Sequence, residues 1–434
     1  MDKLGWHSLG TSFACPCGAT HSLPIRACVV APGAHRDLAE YARAHCGPHA
    51  FVLSDENTRA VGGDAVLSAL ASAGKRITEK VYGNDPIDAT TALGEEVRAA
   101  AGGCDFLVAI GSGSLGDLAK YAGDKLQRPV LLYPTAASMN GYTSGIVAVK
   151  VNGLKRTLPC QPAEGIFADP DVCATAPARM TAAGIADFLS KSSSSTDWCV
   201  AHRLRGGYFC ERPREFFDTT TESVLHAAPL VGRGDRGAYK TVLEALMLSG
   251  FSMVLAGSSA PASGGEHLIS HFIDMKAALD GSPHDLHGTQ VGVATIHCLG
   301  LWERILALDP ARIDIHALAD SQPSEESIRA CIDADWGPIA PEVQAQWAEK
   351  RLTPEALASE LSRFRDLLPS LREECKGDLL PPSAVEDAIA ASGGPVRPED
   401  LTVPPEVYRD AVLRARYIRN RFTVLDLARE LGIE

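Results

Sequence analysis

The stretch Val108-Ala109-Ile110-Gly111-Ser112-Gly113-Ser114-Leu115-Gly116 decides the fold. Its first three residues predict a buried strand, and the residues from the turn to Leu126 have a helical pattern. A glycine turn of this kind suits a pyrophosphate, because glycine lets the backbone come close and the helix start offers N–H groups. The run spells G-x-G-x-x-G, but it follows the fourth predicted strand, and tight turns without a ligand also need glycine. Phosphate binding and a plain turn therefore both stay open, with Ser114 as a helix cap or a phosphate donor.

Strand and helix patterns alternate from the N-terminus to about residue 175, which predicts a parallel α/β sheet. The predicted strands are Ile25 to Val30, Ala50 to Leu53, Lys75 to Val81, Asp105 to Ile110, Val130 to Tyr133 and Ile166 to Asp169. From about Ala176 long helical patterns take over: Thr181 to His202, Tyr239 to Leu255, Gly265 to Leu279 and Gly288 to Leu306. We predict an α/β domain over residues 1–175 and an all-helical domain over residues 176–434.

Three histidines lie close together, in Gly264-Gly265-Glu266-His267-Leu268-Ile269-Ser270-His271 and in His287-Gly288-Thr289-Gln290. A helix would place His267 and His271 on one face, one turn apart. His287 opens a second apolar segment whose start could point back at the first. Neutral imidazoles suit zinc, iron or nickel, and Asp187 is the candidate anionic ligand. Any one of these histidines alone is explained as a core or capping residue, whereas the three together predict a metal site.

Asp55 follows the second predicted strand, in Leu53-Ser54-Asp55-Glu56-Asn57. An acid at this point can accept a hydrogen bond from an adenosine ribose hydroxyl. It can also cap the helix that begins near Asn57. The two roles are compatible.

The composition is that of a soluble globular protein, with 45% hydrophobic and 22% charged residues in a chain of 434. A net charge of −13 argues against nucleic acid or an anionic membrane as a partner, but leaves room for an anionic metabolite. The apolar runs are strand-sized and no secretory signal precedes residue 30, so we expect no transmembrane span and a cytoplasmic location.

Twelve cysteines are scattered irregularly, and in an intracellular chain they are expected to be free thiols. The one tight cluster is Cys15-Pro16-Cys17-Gly18 with His21. It could hold a second metal, but C-x-C has no downstream partner pair in this chain. The spacing therefore favours ordinary thiols and leaves the role of the cluster open.

These motifs together resemble the glycerol-1-phosphate dehydrogenase family, within the superfamily of iron-type alcohol dehydrogenases, glycerol dehydrogenase and dehydroquinate synthase. The resemblance covers roughly residues 25 to 300. It rests on Ser54-Asp55-Glu56-Asn57-Thr58, Gly111-Ser112-Gly113-Ser114 with Asp117 and Lys120, Pro134-Thr135-Ala136-Ala137-Ser138, Ala183-Gly184-Ile185-Ala186-Asp187, Ser263-Gly264-Gly265-Glu266-His267 and His287-Gly288-Thr289-Gln290. The tail beyond about residue 310 carries no usable motif.

The resemblance implies an enzyme that binds NAD(H) or NADP(H) and one divalent metal, usually zinc, with nickel or iron possible. Asp187, His267 and His287 would hold the metal, and His271 would contact substrate or relay a proton. Gly113, Ser114 and Asp117 would lie at the cofactor's phosphates, and Thr135, Ser138 and Ser144 toward its nicotinamide. Relatives commonly form homo-oligomers. The expected reaction is reduction of dihydroxyacetone phosphate to sn-glycerol 1-phosphate, with the proton supplied by water or through His271.

Two positions depart from the family's pattern. Ser112 replaces the middle glycine of a Gly-Gly-Gly-Ser turn, which is tolerable if its φ is negative. Asn140 stands where relatives usually carry an aspartate that contacts substrate hydroxyls; asparagine keeps the shape but not the charge. A phosphorylated substrate also needs a cation, for which Lys155, Arg156 and Lys191 are candidates.

Three other functions remain open on these residues. A polyol or alcohol dehydrogenase would act on an unphosphorylated substrate, which the asparagine at position 140 leaves possible. A sugar-phosphate cyclase would use NAD only transiently, but that branch has glutamate at the position of Asp187. A metal-binding protein without catalysis would leave NADH absorbance unchanged with every small ketone.

Overall fold

Six strands form one parallel sheet in the computed structural model, which describes residues 3–151, 154–218 and 220–433. The order across this sheet is β3-β10-β7-β6-β4-β5, and two separate antiparallel hairpins are β1-β2 and β8-β9. All six residues of β6 are buried, as expected for a central strand covered on both faces. The strands are β1 Ser12–Ala14, β2 Thr20–Ser22, β3 Ala27–Val30, β4 His49–Asp55, β5 Arg76–Tyr82, β6 Phe106–Gly111, β7 Val130–Pro134, β8 Ile146–Val151, β9 Leu154–Pro159 and β10 Gly165–Ala168.

Helices alternate with the strands and then make up most of the chain after β10. Up to α10 they are α1 Ala34–His45, α2 Glu56–Thr58, α3 Asp64–Ser72, α4 Thr91–Ala101, α5 Gly113–Leu126, α6 Pro170–Cys173, α7 Ala178–Leu189, α8 Lys191–Arg205, α9 Glu215–Asp218 and α10 Thr221–Val231. They continue with α11 Arg236–Ala256, α12 Gly265–Asp280, α13 His287–Leu306, α14 Ile315–Asp320, α15 Glu325–Trp336, α16 Ala340–Lys350, α17 Pro354–Cys375, α18 Pro382–Ala391, α19 Pro405–Arg414 and α20 Val424–Glu430.

The predicted fold class is confirmed: a parallel α/β sheet precedes a largely helical C-terminal part. All six predicted strands are present. The helix predicted over Thr181 to His202 is two helices, because the chain breaks at Ser190 between α7 and α8. The short hairpin β1-β2 was not predicted, since three-residue strands carry too little alternation to recognise.

The chain divides into two units that interleave along the sequence. The first comprises Met1–Phe188, Cys210–Ser259 and Ala388–Gly394; the second comprises Leu189–Phe209, Ala260–Asp387 and Pro395–Glu434. These bounds describe compactness only, so the functional division at residue 175 stays a prediction.

Each unit has its own apolar core. In the first unit, residues of β4, β6 and β7 pack with α1 and α3. In the second, α8, α12, α13 and α17 pack with the C-terminal helices. The tail without motifs is thus part of a helical core.

One helix of the first unit, α11, is long and apolar enough to cross a membrane by length and composition. However, 78% of its apolar window is buried inside the protein. That degree of burial is typical of the core helix of a globular protein.

Candidate active site

The glycine turn joins β6 to α5 as its sequence predicts. Ser112 precedes the helix with φ −86°, which is the negative φ that a serine at this position needs, so its backbone is unstrained. A Cβ on Gly113 would lie 2.8 Å from Cε of Met139. Ser114 lies in the first turn of α5 and does not cap it, since the capping position belongs to Ser112. The first N–H groups of α5 therefore lie at the carboxyl edge of the sheet, where α/β proteins bind phosphates.

A buried lysine of α5 is hydrogen-bonded to the segment between β7 and β8. Lys120 is 1% exposed, and its Nζ donates to the carbonyl oxygens of Gly141 at 2.8 Å and Ile146 at 2.7 Å. It also lies 3.3 Å from Oγ of Ser144. Because an ammonium has three protons, these acceptors use its donor capacity. Lys120 therefore organises this segment.

Asp117, one turn before Lys120, takes part in the same network. Its Oδ2 accepts from the backbone N–H of Ala148 at 3.0 Å, and its Oδ1 lies 3.3 Å from Nζ of Lys120. Ser144 is fully buried and donates to Gly141. Asp117 and Ser144 thus hold β8 and the segment before it, and their predicted direct contacts with a cofactor stay predictions.

Asn140 connects this segment to the candidate metal ligand of α7. Its backbone N–H donates to Oδ2 of Asp187 at 3.0 Å, and its side-chain amide donates to Oγ of Ser249 on α11 at 3.1 Å. Asp187 is 1% exposed. The hydrogen bond from Asn140 therefore fixes the orientation of a buried carboxylate.

Two glycines let α7 and α11 approach this segment closely. A Cβ on Gly184 would collide with the backbone carbonyl of Ala137. A Cβ on Gly250 would collide with Oγ1 of Thr143 and lie 2.6 Å from the carbonyl oxygen of Asn140. Only glycine fits at these contacts, so the position of Asn140 depends on both helices.

The three histidines of the second unit form one group, as predicted. His267 and His271 lie one turn apart on α12, with ring centroids 6.2 Å apart, and His287 is the first residue of α13. The ring of His287 lies 5.2 Å from that of His267 and 5.7 Å from that of His271. One ligand atom from each of Asp187, His267 and His287 lies within 4.8 Å of the others. This group is the one predicted to bind a metal.

The Nδ1 atom of each predicted histidine ligand already has a protein partner. Nδ1 of His267 lies 2.8 Å from Oε1 of Glu266, and Nδ1 of His287 lies 3.1 Å from Oγ of Ser270. When Nδ1–H donates in this way, Nε2 carries the lone pair that a metal binds. Ionised Glu266 can only accept and therefore selects this tautomer for His267, whereas the Ser270 hydroxyl can accept from Nδ1–H of His287 and is compatible with it.

Glu266 is fully buried beside a second carboxylate, Asp197. Burial raises the pKa of Glu266, but hydrogen bonds from His267 and from the backbone outweigh it and hold the pKa below its ordinary value. Burial, and then the charge of Glu266, raise the pKa of Asp197 well above its ordinary value. Asp197 accepts from the N–H of Gly265 at 2.7 Å, at the start of α12. The negative charge of this pair is thus concentrated on Glu266, next to His267.

Three other predicted residues lie at the carboxyl ends of strands. Asp55 ends β4 and caps α2, accepting from the N–H of Thr58 at 2.7 Å, which confirms its capping role. Thr135 follows β7, is 5% exposed and donates from its backbone N–H to Gly111. Oγ of Ser138 lies 3.4 Å from the hydroxyl of Tyr142. Cofactor contacts of these residues stay predictions.

Comparison with known proteins shows which family the chain resembles. The family model for iron-containing alcohol dehydrogenases matches residues 29–177. A glycerol-1-phosphate dehydrogenase [NAD(P)+] of Thermococcus kodakarensis is 33% identical over 260 residues, which cover 59% of this chain and 72% of that protein. The protein of the same name from Halalkalibacterium halodurans is 29% identical over 420 residues, covering 95% and 94% of the two chains.

The chain belongs to the glycerol-1-phosphate dehydrogenase family. Solved structures agree on the fold of this family member. The NADH-dependent butanol dehydrogenase A of Thermotoga maritima has a TM-score of 0.60 at 14% identity, with 94% of this chain and 96% of that one covered. Glycerol dehydrogenase of Schizosaccharomyces pombe has a TM-score of 0.56 at 18% identity, with 81% and 91% covered.

Several residues of this family member's candidate site were not predicted from the sequence as site residues. Glu266 adjoins His267 in sequence, but adjacency alone did not show that its carboxylate turns back to the imidazole. Ser249 and Asp197 reach their partners from separate helices, over 109 and 68 residues. No local motif marks such contacts.

Proposed function

We propose that this protein is a metal-dependent NAD(P)H oxidoreductase that reduces dihydroxyacetone phosphate to sn-glycerol 1-phosphate and catalyses the reverse reaction. The observation that carries this proposal is the group of Asp187, His267 and His287, in a chain of this family. One carboxylate and two neutral imidazoles leave a divalent ion with a net positive charge, which favours a developing alkoxide.

The donor set fits a divalent metal. The hydrogen bonds at Nδ1 of His267 and His287 direct Nε2 of each ring away from its partner, and the Asn140 N–H leaves Asp187 further lone pairs. Zinc is the metal we propose. Nickel and iron accept the same ligands, so metal analysis has to decide.

For the dinucleotide we propose that the start of α5, with Gly113 and Ser114, binds the pyrophosphate. Asp55 would accept from a ribose hydroxyl and would repel a 2′-phosphate, which favours NAD(H) over NADP(H). Thr135 and Ser138 would line the nicotinamide end, and Asp117 and Ser144 would support that wall through Lys120.

In the reaction, a metal held by Asp187, His267 and His287 would polarise the substrate carbonyl as a Lewis acid, and NAD(P)H would supply the hydride. His271 stacks on His287 at 5.7 Å and would deliver the proton to the alkoxide oxygen. Asn140 would hold a substrate hydroxyl while its backbone holds Asp187.

The phosphate of the substrate needs a cation. Lys191 is 2% exposed and donates to Oγ of Ser190 and to the carbonyl of Ala262. A lysine held in this way has a defined direction, and we propose it for the phosphate. Arg156 lies on β9, and the side chain of Lys155 lies outside the described residues. We further propose a cytoplasmic homo-oligomer.

The test combines metal analysis of protein purified without chelator with NAD(P)H oxidation. Dihydroxyacetone phosphate should give a much higher kcat/KM than dihydroxyacetone; equal values would favour a polyol dehydrogenase. Asp187→Ala, His267→Ala and His287→Ala should each lose this metal and activity together. His316→Ala, an exposed histidine of α14, is the matched control and should keep both. Retained activity in any of the three variants removes that residue from the site.

A further inference from the structure

The hairpin β1-β2 presents three metal-binding side chains at its turn. Cys15 and Cys17 lie in the turn, and His21 lies on β2. The turn is closed by the N–H of Gly18, which donates to the carbonyl of Cys15 at 2.9 Å, and Gly18 has φ +89°. The turn therefore holds the two cysteines close to the histidine at one end of the hairpin.

A fourth such side chain comes from far along the chain. Cys210, which is 3% exposed, lies 195 residues after Cys15, and the two Sγ atoms are 3.7 Å apart. Nε2 of His21 lies 3.3 Å from Sγ of Cys210 and 3.4 Å from Sγ of Cys17. The ligand atoms of all four residues lie within 4.8 Å of one another.

These separations match the edges of a tetrahedron around zinc. With Zn–S bonds of about 2.3 Å and a Zn–N bond of about 2.0 Å, tetrahedral angles place sulfurs roughly 3.8 Å apart and sulfur and nitrogen roughly 3.5 Å apart. The observed sulfur–sulfur distance of 3.7 Å and the nitrogen–sulfur distances of 3.3 and 3.4 Å agree. A disulfide would need an S–S distance of about 2.05 Å.

His21 is oriented for ligation from its other side. It is 2% exposed, and its Nδ1 lies 2.7 Å from the backbone carbonyl oxygen of Leu255, near the end of α11. A carbonyl can only accept, so Nδ1 carries the proton and Nε2 presents its lone pair to the sulfurs of Cys17 and Cys210. A buried histidine in this state, beside these two thiols and that of Cys15, is suited to bind a cation.

We propose that Cys15, Cys17, His21 and Cys210 bind one structural Zn²⁺ ion, separate from the metal of the proposed reaction. Four protein ligands leave no open position, which is the arrangement of structural rather than catalytic zinc. C-x-C has no nearby partner pair because its partners are His21, from the hairpin itself, and Cys210, from the first unit's second segment.

The site would fasten the N-terminal segment to α11 and to the segment after α8. The same segment makes two other contacts there: Trp6 packs edge-on against Phe251, with centroids 5.7 Å apart, and the N–H of Leu4 donates to Oε2 of Glu215 at 2.9 Å. A two-stranded hairpin is only marginally stable by itself. A metal that cross-links it to the rest of the unit would add the binding free energy of the metal to its stability.

Cobalt substitution tests the proposal in the full-length, reduced protein. Thiolate ligands give Co²⁺ sulfur-to-metal charge-transfer bands and intense visible bands of tetrahedral geometry, whereas Asp187, His267 and His287 offer no sulfur. We expect one equivalent of thiolate-bound Co²⁺ per chain, retained in His267→Ala. Absence of these bands in the wild-type protein, or a Cys15–Cys210 disulfide in a non-reducing peptide map of protein purified without chelator, overturns the proposal.

Variants of the cluster complete the test. The double variant Cys15→Ser/Cys17→Ser should lose the sulfur-to-cobalt charge-transfer bands and one equivalent of bound zinc. If the bands persist in this variant, the assignment is overturned. Cys331→Ser, which changes a partly buried cysteine of α15, is the control and should keep both. If the double variant does not fold, the single variant Cys17→Ser is used instead, because Cys17 is exposed and its replacement leaves the core unchanged. The loss of one sulfur ligand must then shift the charge-transfer bands, and unshifted bands would overturn the assignment.

Discussion

Glu266→Gln tests whether the carboxylate behind His267 strengthens metal binding. Oε1 of Glu266 accepts from Nδ1 of His267 at 2.8 Å and from the N–H of Gly264 at 2.7 Å. Glutamine has nearly the same shape, and its carbonyl oxygen can accept both hydrogen bonds. The substitution therefore removes the charge and leaves the geometry, which isolates the electrostatic contribution to ligand basicity.

The expected loss follows from the burial of the pair. Glu266 is 0% exposed and His267 is 5% exposed, so water screens their interaction little. Outer partners of metal-binding histidines typically contribute about 10- to 100-fold in metal affinity. This corresponds to about 1.4 to 2.8 kcal/mol of binding free energy.

The assay measures dehydrogenase activity against free Zn²⁺ in metal-buffered solution. We expect the half-activating concentration to rise by about 10- to 100-fold, with activity at saturating metal much less affected. Glu303→Gln, an exposed glutamate of α13, is the matched control and should leave the half-activating concentration unchanged. An unchanged value for Glu266→Gln would refute the role of Glu266 in metal binding.

Three further predictions concern stability and the site. Asp426→Asn should lower the free energy of unfolding, measured in urea, by about 3 to 5 kcal/mol. The reason is that buried Lys350 and Arg416, which lie 2.9 and 3.1 Å from Oδ1 of Asp426, lose their counter-ion. Glu40→Gln, in an exposed ion pair, is the control and should leave this free energy unchanged. Burial raises the pKa of Asp426, but Lys350 and Arg416 lower it more, so the folded protein has the lower pKa. The ion pairs therefore stabilise the fold fully above the unfolded-state pKa of 3.8, and this contribution is lost as the pH falls through the folded-state pKa. The difference in unfolding free energy between wild type and Asp426→Asn should accordingly shrink in acid. Gly184→Ala should destabilise the folded protein by about 1 to 3 kcal/mol, because the added Cβ meets the carbonyl of Ala137. Gly300→Ala is the control and should not destabilise it, because a Cβ there meets open space. Equal melting temperatures of the two variants would contradict this prediction. Asn140→Ala should keep its metal, because the backbone N–H remains, yet lower kcat/KM by about tenfold through one lost hydrogen bond; metal loss would contradict this.

The parallel sheet could be predicted because its signal is local. Each buried strand is a short apolar run, and the turn at Gly111 to Gly113 marks the passage from strand to helix. The break between α7 and α8 could not be predicted, because Ser190 has helical dihedral angles and the sequence on both sides keeps a helical pattern.

The histidine group could be predicted because its members lie within 20 residues, on one helix and at the start of the next. The cysteine cluster could not, because Cys210 is brought to His21 by the fold over 189 residues. Rules of spacing reveal candidate metal sites whose residues are close together in sequence. They do not reveal clusters that combine residues of a terminal hairpin with a residue of a distant segment.

The asparagine at position 140 illustrates how the fold separates two roles of one residue. Its backbone N–H holds Asp187, and that bond would form with any residue except proline. Its side chain donates to Ser249 on α11, a bond in which an ionised aspartate could only accept. An asparagine in place of the aspartate that the resemblance implies would therefore keep the backbone hydrogen bond to Asp187 and remove a negative charge from this position.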